Sequence, residues 1–275
     1  MDIERIRGVI TQMKLQDKAE LTGGGTATPA VTRPKVNGVK LTDGLLPYAC
    51  NEPTALALGC TFSPEIVAAV SKARSLDAAR GGAAVAGTIA AGLILDPTRA
   101  DACDFFSEDA HAAAQLLQSY AAAGVVGYVF TDALGQGRFA NRVIDARALN
   151  ELYLQPLARA GKYAAALQMD GGYLNGERIA TSRAVADMYL RYIPQDAPLI
   201  TQYCADGADA VAVAGNGAYR LGATAATKRA VANAVADGEL VEQRLNRSIE
   251  RVLALAVNTH EFYKKPFDRS VDASL

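Results

Sequence analysis

The sequence predicts an α/β fold, in which a parallel sheet is wrapped into a TIM-type (β/α) barrel. Short apolar runs of four to seven residues, bounded by Gly, Pro or Asp, alternate with Ala-rich stretches that have helical spacing. This alternation is typical of right-handed βαβ units, and about seven strands favour a barrel over an open sheet. Because the chain has 275 residues, 50% of them hydrophobic, we expect one domain over residues 1–275 and no second domain.

Seven apolar runs are predicted as buried strands. They are Val39–Thr42, Leu56–Cys60, Gly92–Leu95, Val125–Thr131, Ala164–Met169, Leu199–Gln202 and Ala210–Val213. Only the segment from Tyr203 to Gly207 separates the last two runs, so we expect a barrel that is incomplete or has a shortened helix near residues 203–208. The segment Gly215–Gly222 ("GNGAYRLG") is expected to be a loop, either plain or able to cradle a phosphate.

Helix starts are predicted where capping residues precede helical spacing. Ser63 is expected to cap a helix with Pro64 at its first position, and residues 107–109 and 145–147 are expected to open two more. A long amphipathic helix over Glu239–Val257 should pack on the outside of the barrel.

Charge and motif content narrow the function classes. The net charge is −1, with no basic stripe of the kind that nucleic-acid binding requires. The four cysteines are far apart and form no C-x-x-C pair, so we expect reduced thiols and no zinc site.

The amino-terminal segment is charged throughout and does not resemble a signal peptide, so we expect a cytoplasmic protein without membrane contact. Gly23–Gly25 lacks the spacing of a dinucleotide fingerprint, and no cofactor is predicted.

Polar residues follow several of the predicted strands, and ligands of parallel α/β folds bind at the carboxyl ends of strands. These residues are Asp43, Asp96, Thr131, Asp132, Asp170, Thr201 and Gln202. Carboxylates sharing one mouth would repel each other, which raises some of their pKa values and suits them for acid–base work. Each Asp is also a common turn former or helix cap, and Asp96-Pro97 looks most like turn chemistry. No ligand spacing indicates Mg²⁺ or Ca²⁺, and no metal is predicted.

Several segments, in their order along the chain, resemble the barrel domain of the family-3 glycoside hydrolases of the β-glucosidase type. They are "LQDKAELTGGG", "RPKVNGVKLTDGLLP", "EPTALALGCTFSPEIV", "DFFSEDAHAAAQL", "VIDARALNELYLQPL", "ADGELVEQRLNRSIERVLAL" and "EFYKKPF". The resemblance covers nearly the whole chain. It implies a barrel in which a carboxylate nucleophile attacks the anomeric carbon while a second group protonates the leaving oxygen.

The chain departs from the family where that chemistry lies. The nucleophile belongs to a Ser-Asp-Trp motif, which matches Thr201, Gln202 and Tyr203 of "PLITQYC". A neutral amide in that place cannot form a normal glycosyl-enzyme ester. The sugar-binding Lys-His pair falls on Phe130 and Thr131.

Other sugar contacts of the family are also replaced. The family's Arg falls on Asp101 with Arg99 nearby, and its Tyr-Asn pair falls on two glycines with Tyr173 displaced. Only Asp43, which in the family holds sugar hydroxyls, stays in place.

Three functions remain open. The favoured hypothesis is a repurposed barrel that carries out acid–base chemistry (cyclisation, elimination or isomerisation) on a small, sugar-like or hydroxylated molecule. The alternatives are a non-catalytic protein that binds a ligand or supports a partner, and an active β-glycosidase with a relocated carboxylate. The candidate catalytic residues are Asp43, Asp132 and Asp170, and the candidate substrate-binding residues are Asp96, Arg99, Thr131, Tyr173, Thr201, Gln202 and Tyr203. Shortened helices would leave apolar surface that a homodimer would cover.

Overall fold

The structure, a computed structural model, describes residues 3–24, 53–80, 86–98, 102–123, 127–130, 140–169, 171–201 and 206–263. The strands in these ranges are β1 (Gly23–Gly24), β2 (Ala86–Ala90), β3 (Gly127–Phe130), β4 (Asn141–Arg142), β5 (Ala164–Gln168), β6 (Tyr173–Leu174), β7 (Glu177–Arg178), β8 (Leu199–Thr201) and β9 (Ala218–Leu221). The α-helices are α1 (Ile3–Gln12), α2 (Leu15–Glu20), α3 (Ala55–Gly59), α4 (Pro64–Arg80), α5 (Ala110–Ala123), α6 (Ala146–Ala148), α7 (Gln155–Ala160), α8 (Arg183–Leu190), α9 (Gly207–Gly215), α10 (Ala225–Ala236) and α11 (Glu242–Tyr263). A π-helical turn over Leu149–Tyr153 joins α6 to α7.

The main sheet has six strands in the order β1-β9-β8-β5-β3-β2, and every neighbouring pair in it is parallel. From β2 to β9 each strand lies beside the next main-sheet strand along the chain, and the last strand, β9, returns to pair with the first, β1. Helices fill most of the connections, as in consecutive βαβ units. The α/β class and the parallel sheet are therefore confirmed, while closure into a complete barrel stays a prediction.

The two faces of the sheet bury different residues. Leu167, Leu199 and Ala218 pair in register and belong to a core with side chains of α5, α7 and α8, so this face is the helix-facing side. Side chains alternate along a strand, so Ala166, Ile200 and Tyr219 lie on the opposite face. That face packs against Val252, Leu255 and Ala256 of α11.

One row of the sheet crosses three strands near their carboxyl ends. Phe130 of β3 pairs with Gln168 of β5, and Gln168 pairs with Ile200 of β8. Ile200 lies on the face that packs against α11, and Gln168, paired with it in register, shares that face. We call these three residues the 130–168–200 row.

A small second sheet, in the order β4-β6-β7, lies in the connections that follow β3 and β5. Strands β6 and β7 form a hairpin whose turn is Asn175-Gly176, with φ of 51° and 85°. Two consecutive residues with positive φ are the requirement of a type I′ turn, and Asn-Gly is the pair that adopts it most readily.

Several sequence predictions are confirmed. The run Val125–Thr131 contains β3, Ala164–Met169 contains β5, and Leu199–Gln202 contains β8 up to Thr201. The run Val39–Thr42 lies outside the described residues.

The predicted helix starts are also found. Helix α4 begins at Pro64, with the Ser63 hydroxyl accepting from the Ile66 N–H at 3.3 Å. Asp109 caps α5, and Asp145 caps α6. The predicted closing helix is α11, which begins at Glu242 rather than Glu239.

Two predicted strands were wrong near the start of the chain. The run Leu56–Cys60 is helix α3, because Thr54 accepts a hydrogen bond from the Ala57 N–H at 3.2 Å and starts a helical turn. The run Gly92–Leu95 is irregular, and the strand is instead the more amino-terminal Ala86–Ala90, which consists mainly of small residues.

The third wrong strand changes the topology. The run Ala210–Val213 lies inside helix α9, which Asp206 caps by accepting from the Asp209 N–H at 3.0 Å. The following strand is β9, within the segment Gly215–Gly222 that was expected to be a loop. The connection between β8 and β9 therefore contains a nine-residue helix, and the prediction that Tyr203 to Gly207 leaves no room for one was wrong.

None of the helices in the described ranges is long and apolar enough to cross a membrane.

Candidate functional site

The carboxyl ends of the parallel strands form one edge of the sheet, where ligands of such folds bind. Strand β5 ends at Gln168, β8 at Thr201 and β9 at Leu221. The polar side chains near these strand ends lie on both faces of the sheet. Side chains on opposite faces cannot contact the same ligand from one face.

Gln168 and Tyr219 lie on the α11-packed face, two strands apart, because each pairs in register with Ile200. Gln168 is 6% exposed and Tyr219 is 1% exposed. Burial raises the pKa of the Tyr219 hydroxyl well above its usual range, so this group stays protonated at ordinary pH. A primary amide and a neutral hydroxyl are thus the polar groups that the described strands place on this face near the edge.

Thr201 lies on the other face. It follows Leu199 by two residues, so its side chain is on the helix-facing side, where it is 0% exposed. It pairs in register with Arg220, which is also buried. Thr201 is therefore at the predicted edge but not on the face of Gln168, and its role in substrate binding stays a prediction.

Tyr173 begins the β6–β7 hairpin in the connection after β5, and its side chain is half-buried. Its N–H donates to the Ala140 carbonyl at 2.9 Å. Beside it, the Ile144 N–H donates to Asn175 Oδ1 at 2.8 Å, and Asn175 Nδ2 donates to the Ile144 carbonyl at 2.9 Å. The hairpin is thereby fixed to the segment that follows β3.

Arg178, the last residue of β7, contacts the first turn of α9. Its Nη1 lies 2.6 Å from Asp209 Oδ1 and 2.7 Å from Oδ2, and the Asp209 side chain is 13% exposed. A charge-assisted contact with so little solvent around it is stronger than an exposed ion pair. It connects the chain after β5 to the chain after β8.

Asp96 is an exposed turn residue. Its Oδ1 accepts from the Thr98 N–H at 2.9 Å and from the Thr98 hydroxyl at 2.7 Å, which is the geometry of an Asx turn. Strand β2 ends at Ala90, so Asp96 does not directly follow a strand as predicted.

The remaining predicted site residues lie outside the described residues. They are the three candidate catalytic residues Asp43, Asp132 and Asp170, and the candidate binding residues Arg99, Thr131, Gln202 and Tyr203. Among the described residues, no group of three or more His, Cys, Asp or Glu side chains could hold a metal ion.

Gln168, Tyr219 and the Arg178–Asp209 pair were not predicted from the sequence. The site residues predicted at strand ends are the first polar residues after each run, whereas Gln168 is a polar residue inside the run "AAALQM". A polar side chain in an otherwise apolar strand was the available signal. Tyr219 had no such signal, since its strand was predicted as a loop.

The fold defined by this sheet and its helices is shared with known β-glucosidases. A β-glucosidase from Kluyveromyces marxianus matches with a TM-score of 0.83 and 18% identity, over 96% of this chain and 34% of that one. A family-3 β-glucosidase from Bifidobacterium adolescentis matches with a TM-score of 0.82 and 20% identity, over 96% of this chain and 43% of that one. β-Glucosidase 3B from Thermotoga neapolitana, solved in complex with α-D-glucose, matches with a TM-score of 0.81 and 18% identity, over 98% of this chain and 45% of that one.

The chain thus spans less than half the length of these enzymes, and the similarity establishes a common fold. No protein-family model matches the sequence, and no curated protein matches it.

Proposed function

We propose that the protein binds a hydroxylated small molecule at the carboxyl edge of its parallel sheet and acts on it by acid–base chemistry, without the covalent step of a retaining glycosidase. Asp132 and Asp170 are the proposed acid and base, with Asp43 as a third carboxylate. Gln202 is a neutral donor in the place that the family resemblance gives to a nucleophile.

The observation that carries the proposal is the 130–168–200 row. Asp132, Asp170 and Gln202 each follow one member of that row by two residues in the sequence. Two carboxyl groups and one amide thus occupy equivalent sequence positions after three neighbouring strands. This equivalence, which depends on the register of the sheet, supports a shared role for the three residues.

A ligand-binding protein without catalysis is the second candidate. It is favoured by the amide of Gln202, which stands where the family resemblance places a carboxylate nucleophile.

The first experiment separates the proposal from an ordinary glycosidase. The protein is incubated with aryl β-glycosides, and release of the phenol is measured. We expect no release above background, and release that Asp170→Asn or Asp132→Asn abolishes would show a relocated nucleophile and overturn the proposal. Gln202→Asp restores a carboxylate at the nucleophile position, but we expect it to remain inactive because the sugar-binding Lys, His and Arg of the family are replaced.

The second experiment uses glucose as a probe in titration calorimetry with the Asp132→Asn, Asp170→Asn and double variants. The control is Asp237→Asn, because Asp237 is an exposed residue at the carboxyl-terminal end of α10, the end of that helix farther from the strand edge. We expect each site variant to change the affinity and the double variant to deviate from the sum of the single effects. If both single variants and the double variant bind glucose with the same affinity as the parent and the control, the proposed site is wrong.

A further inference from the structure

Three connections of the main sheet contact one another through residues 173–182, which we call the 173–182 segment. The segment lies in the connection after β5 and contains the β6–β7 hairpin. It contacts β4 and residue 144 in the connection after β3, and it contacts α9 in the connection after β8. Because the strands are parallel, all three connections start at the edge where the proposed site lies.

Beside the pairing of β4 with β6, the Asn175 side chain makes a two-point contact with the connection after β3. Asn175 both donates to and accepts from the main chain of Ile144, at 2.9 Å and 2.8 Å. The Gly176 N–H adds a bond to Asn141 Oδ1 at 2.9 Å. A two-point contact of this kind fixes the orientation of the two chains as well as their distance.

The contact with α9 holds both ends of that helix. Arg178 Nη1 binds the carboxylate of Asp209 in the first turn, and Asn216, which caps the other end, donates from Nδ2 to the Thr181 carbonyl at 2.8 Å. The Asp209 N–H in turn donates to the Asp206 cap. Asp206 is only five residues beyond Thr201, the end of β8, so the position of α9 limits where the chain can go after that strand.

We infer that Arg178 and Asn175 are positioning residues, which fix the connections after β3 and β8 against the connection after β5 and thereby set the geometry of the proposed site. Nη1 of Arg178 contacts both carboxylate oxygens of Asp209. A lysine ammonium can make the same single-nitrogen contact, so the Arg178→Lys variant should keep the function that Arg178→Ala loses.

Amide hydrogen exchange of the full chain tests this inference. In Arg178→Ala we expect the amides of residues 211–215 in α9 to exchange about tenfold faster or more, since a hydrogen bond to a charged group is lost. Arg178→Lys should exchange like the parent. The control is Arg183→Ala, which removes an exposed ion pair with Asp187 on the neighbouring helix and should leave α9 unchanged. Equal exchange in Arg178→Ala and Arg183→Ala overturns the inference, as does equal exchange in Arg178→Lys and Arg178→Ala.

Asn175→Gly gives an independent test on the other side of the segment, because glycine adopts the positive φ of this position but has no amide group. We expect faster exchange at the Ile144 amide, and unchanged exchange there would contradict the assignment. The effect on the site rests on the proposed function and is measured with glucose, whose affinity should fall in Arg178→Ala and recover in Arg178→Lys. If the parent does not bind glucose, the proposed function fails while the exchange results still decide the positioning role.

Discussion

Tyr219 should make the stability of the fold depend on pH in the alkaline range. Its hydroxyl is buried on the face that packs against α11, and burial raises its pKa above the ordinary value of 10.0. The folded state therefore holds this proton more tightly than the unfolded state. The stabilisation is complete below about pH 10 and is lost as the pH rises past that value toward the pKa of the folded state.

The size of the effect follows from the unfolded chain. At about pH 11, one unit above the unfolded pKa, ionisation of the free tyrosine stabilises the unfolded state by about 1.4 kcal/mol. Tyr219→Phe removes this contribution. We therefore expect the free energy of unfolding of the parent to fall by about 1.4 kcal/mol more than that of Tyr219→Phe between about pH 8 and pH 11.

Urea unfolding followed by circular dichroism at a series of pH values measures the difference. The other tyrosines are common to both proteins, so their titration cancels. Tyr163→Phe is the matched control, because it removes the hydroxyl of an exposed tyrosine instead of a buried one. If parent and Tyr219→Phe lose the same free energy over this range, the Tyr219 hydroxyl is not buried in the folded state and the placement of its strand is wrong.

Three further substitutions test α3, α9 and the helix-facing core by urea unfolding. A Cβ at Gly59 would overlap the Phe106 carbonyl oxygen, so Gly59→Ala should cost about 1–3 kcal/mol, whereas Gly8→Ala, with nothing within 4 Å, should gain about 0.5–1 kcal/mol. Equal effects would contradict the packing of α3. Asp206→Ala removes the cap of α9 and should lower the free energy of unfolding by about 1 kcal/mol. Asp206→Asn keeps an oxygen that accepts the capping hydrogen bond, so it should lose little stability. An unchanged stability in Asp206→Ala would argue against the helix. Leu157→Ala in the helix-facing core should lower the free energy of unfolding by about 2–5 kcal/mol. The control is Leu152→Ala, which should have little effect because the Leu152 side chain is half-exposed.

The predictions of strands were right or wrong depending on the turn and capping residues next to each apolar run. The run that became β5 is followed by Asp170 and two glycines, which are turn residues, and four of the five residues of β5 are apolar. The runs at 56–60 and 210–213 consist of Ala, Leu, Val, Gly and one Cys, and so short an apolar run suits a helix as well as a strand. The decisive residues were the caps, Thr54 and Asp206, which stand just before these runs. Capping signals should therefore have outweighed the apolar run.

The candidate site was less predictable than the fold, because the sequence does not give the face of the sheet. Thr201 and Gln168 both stand at strand ends, yet register and alternation place them on opposite faces. Asparagine in a turn predicts a hairpin, but its hydrogen bonds to Ile144 depend on where another connection lies. Such contacts join residues that are distant in the sequence, so local composition does not predict them.

The register also gives a physical reason for an amide at position 202 under the proposed function. A carboxylate there would be a third negative charge equivalent in sequence to Asp132 and Asp170, each following the 130–168–200 row by two residues. Like charges held close together raise one another's pKa values, and a carboxylate at position 202 would add to the repulsion among Asp132, Asp170 and Asp43. An amide avoids that added charge and still donates hydrogen bonds, so Asp132 and Asp170 are left to differ in protonation as an acid–base pair requires. In this interpretation Gln202 is a substitution that a two-carboxylate mechanism favours, and Gln202→Asp should shift the pH dependence of glucose binding rather than create a glycosidase.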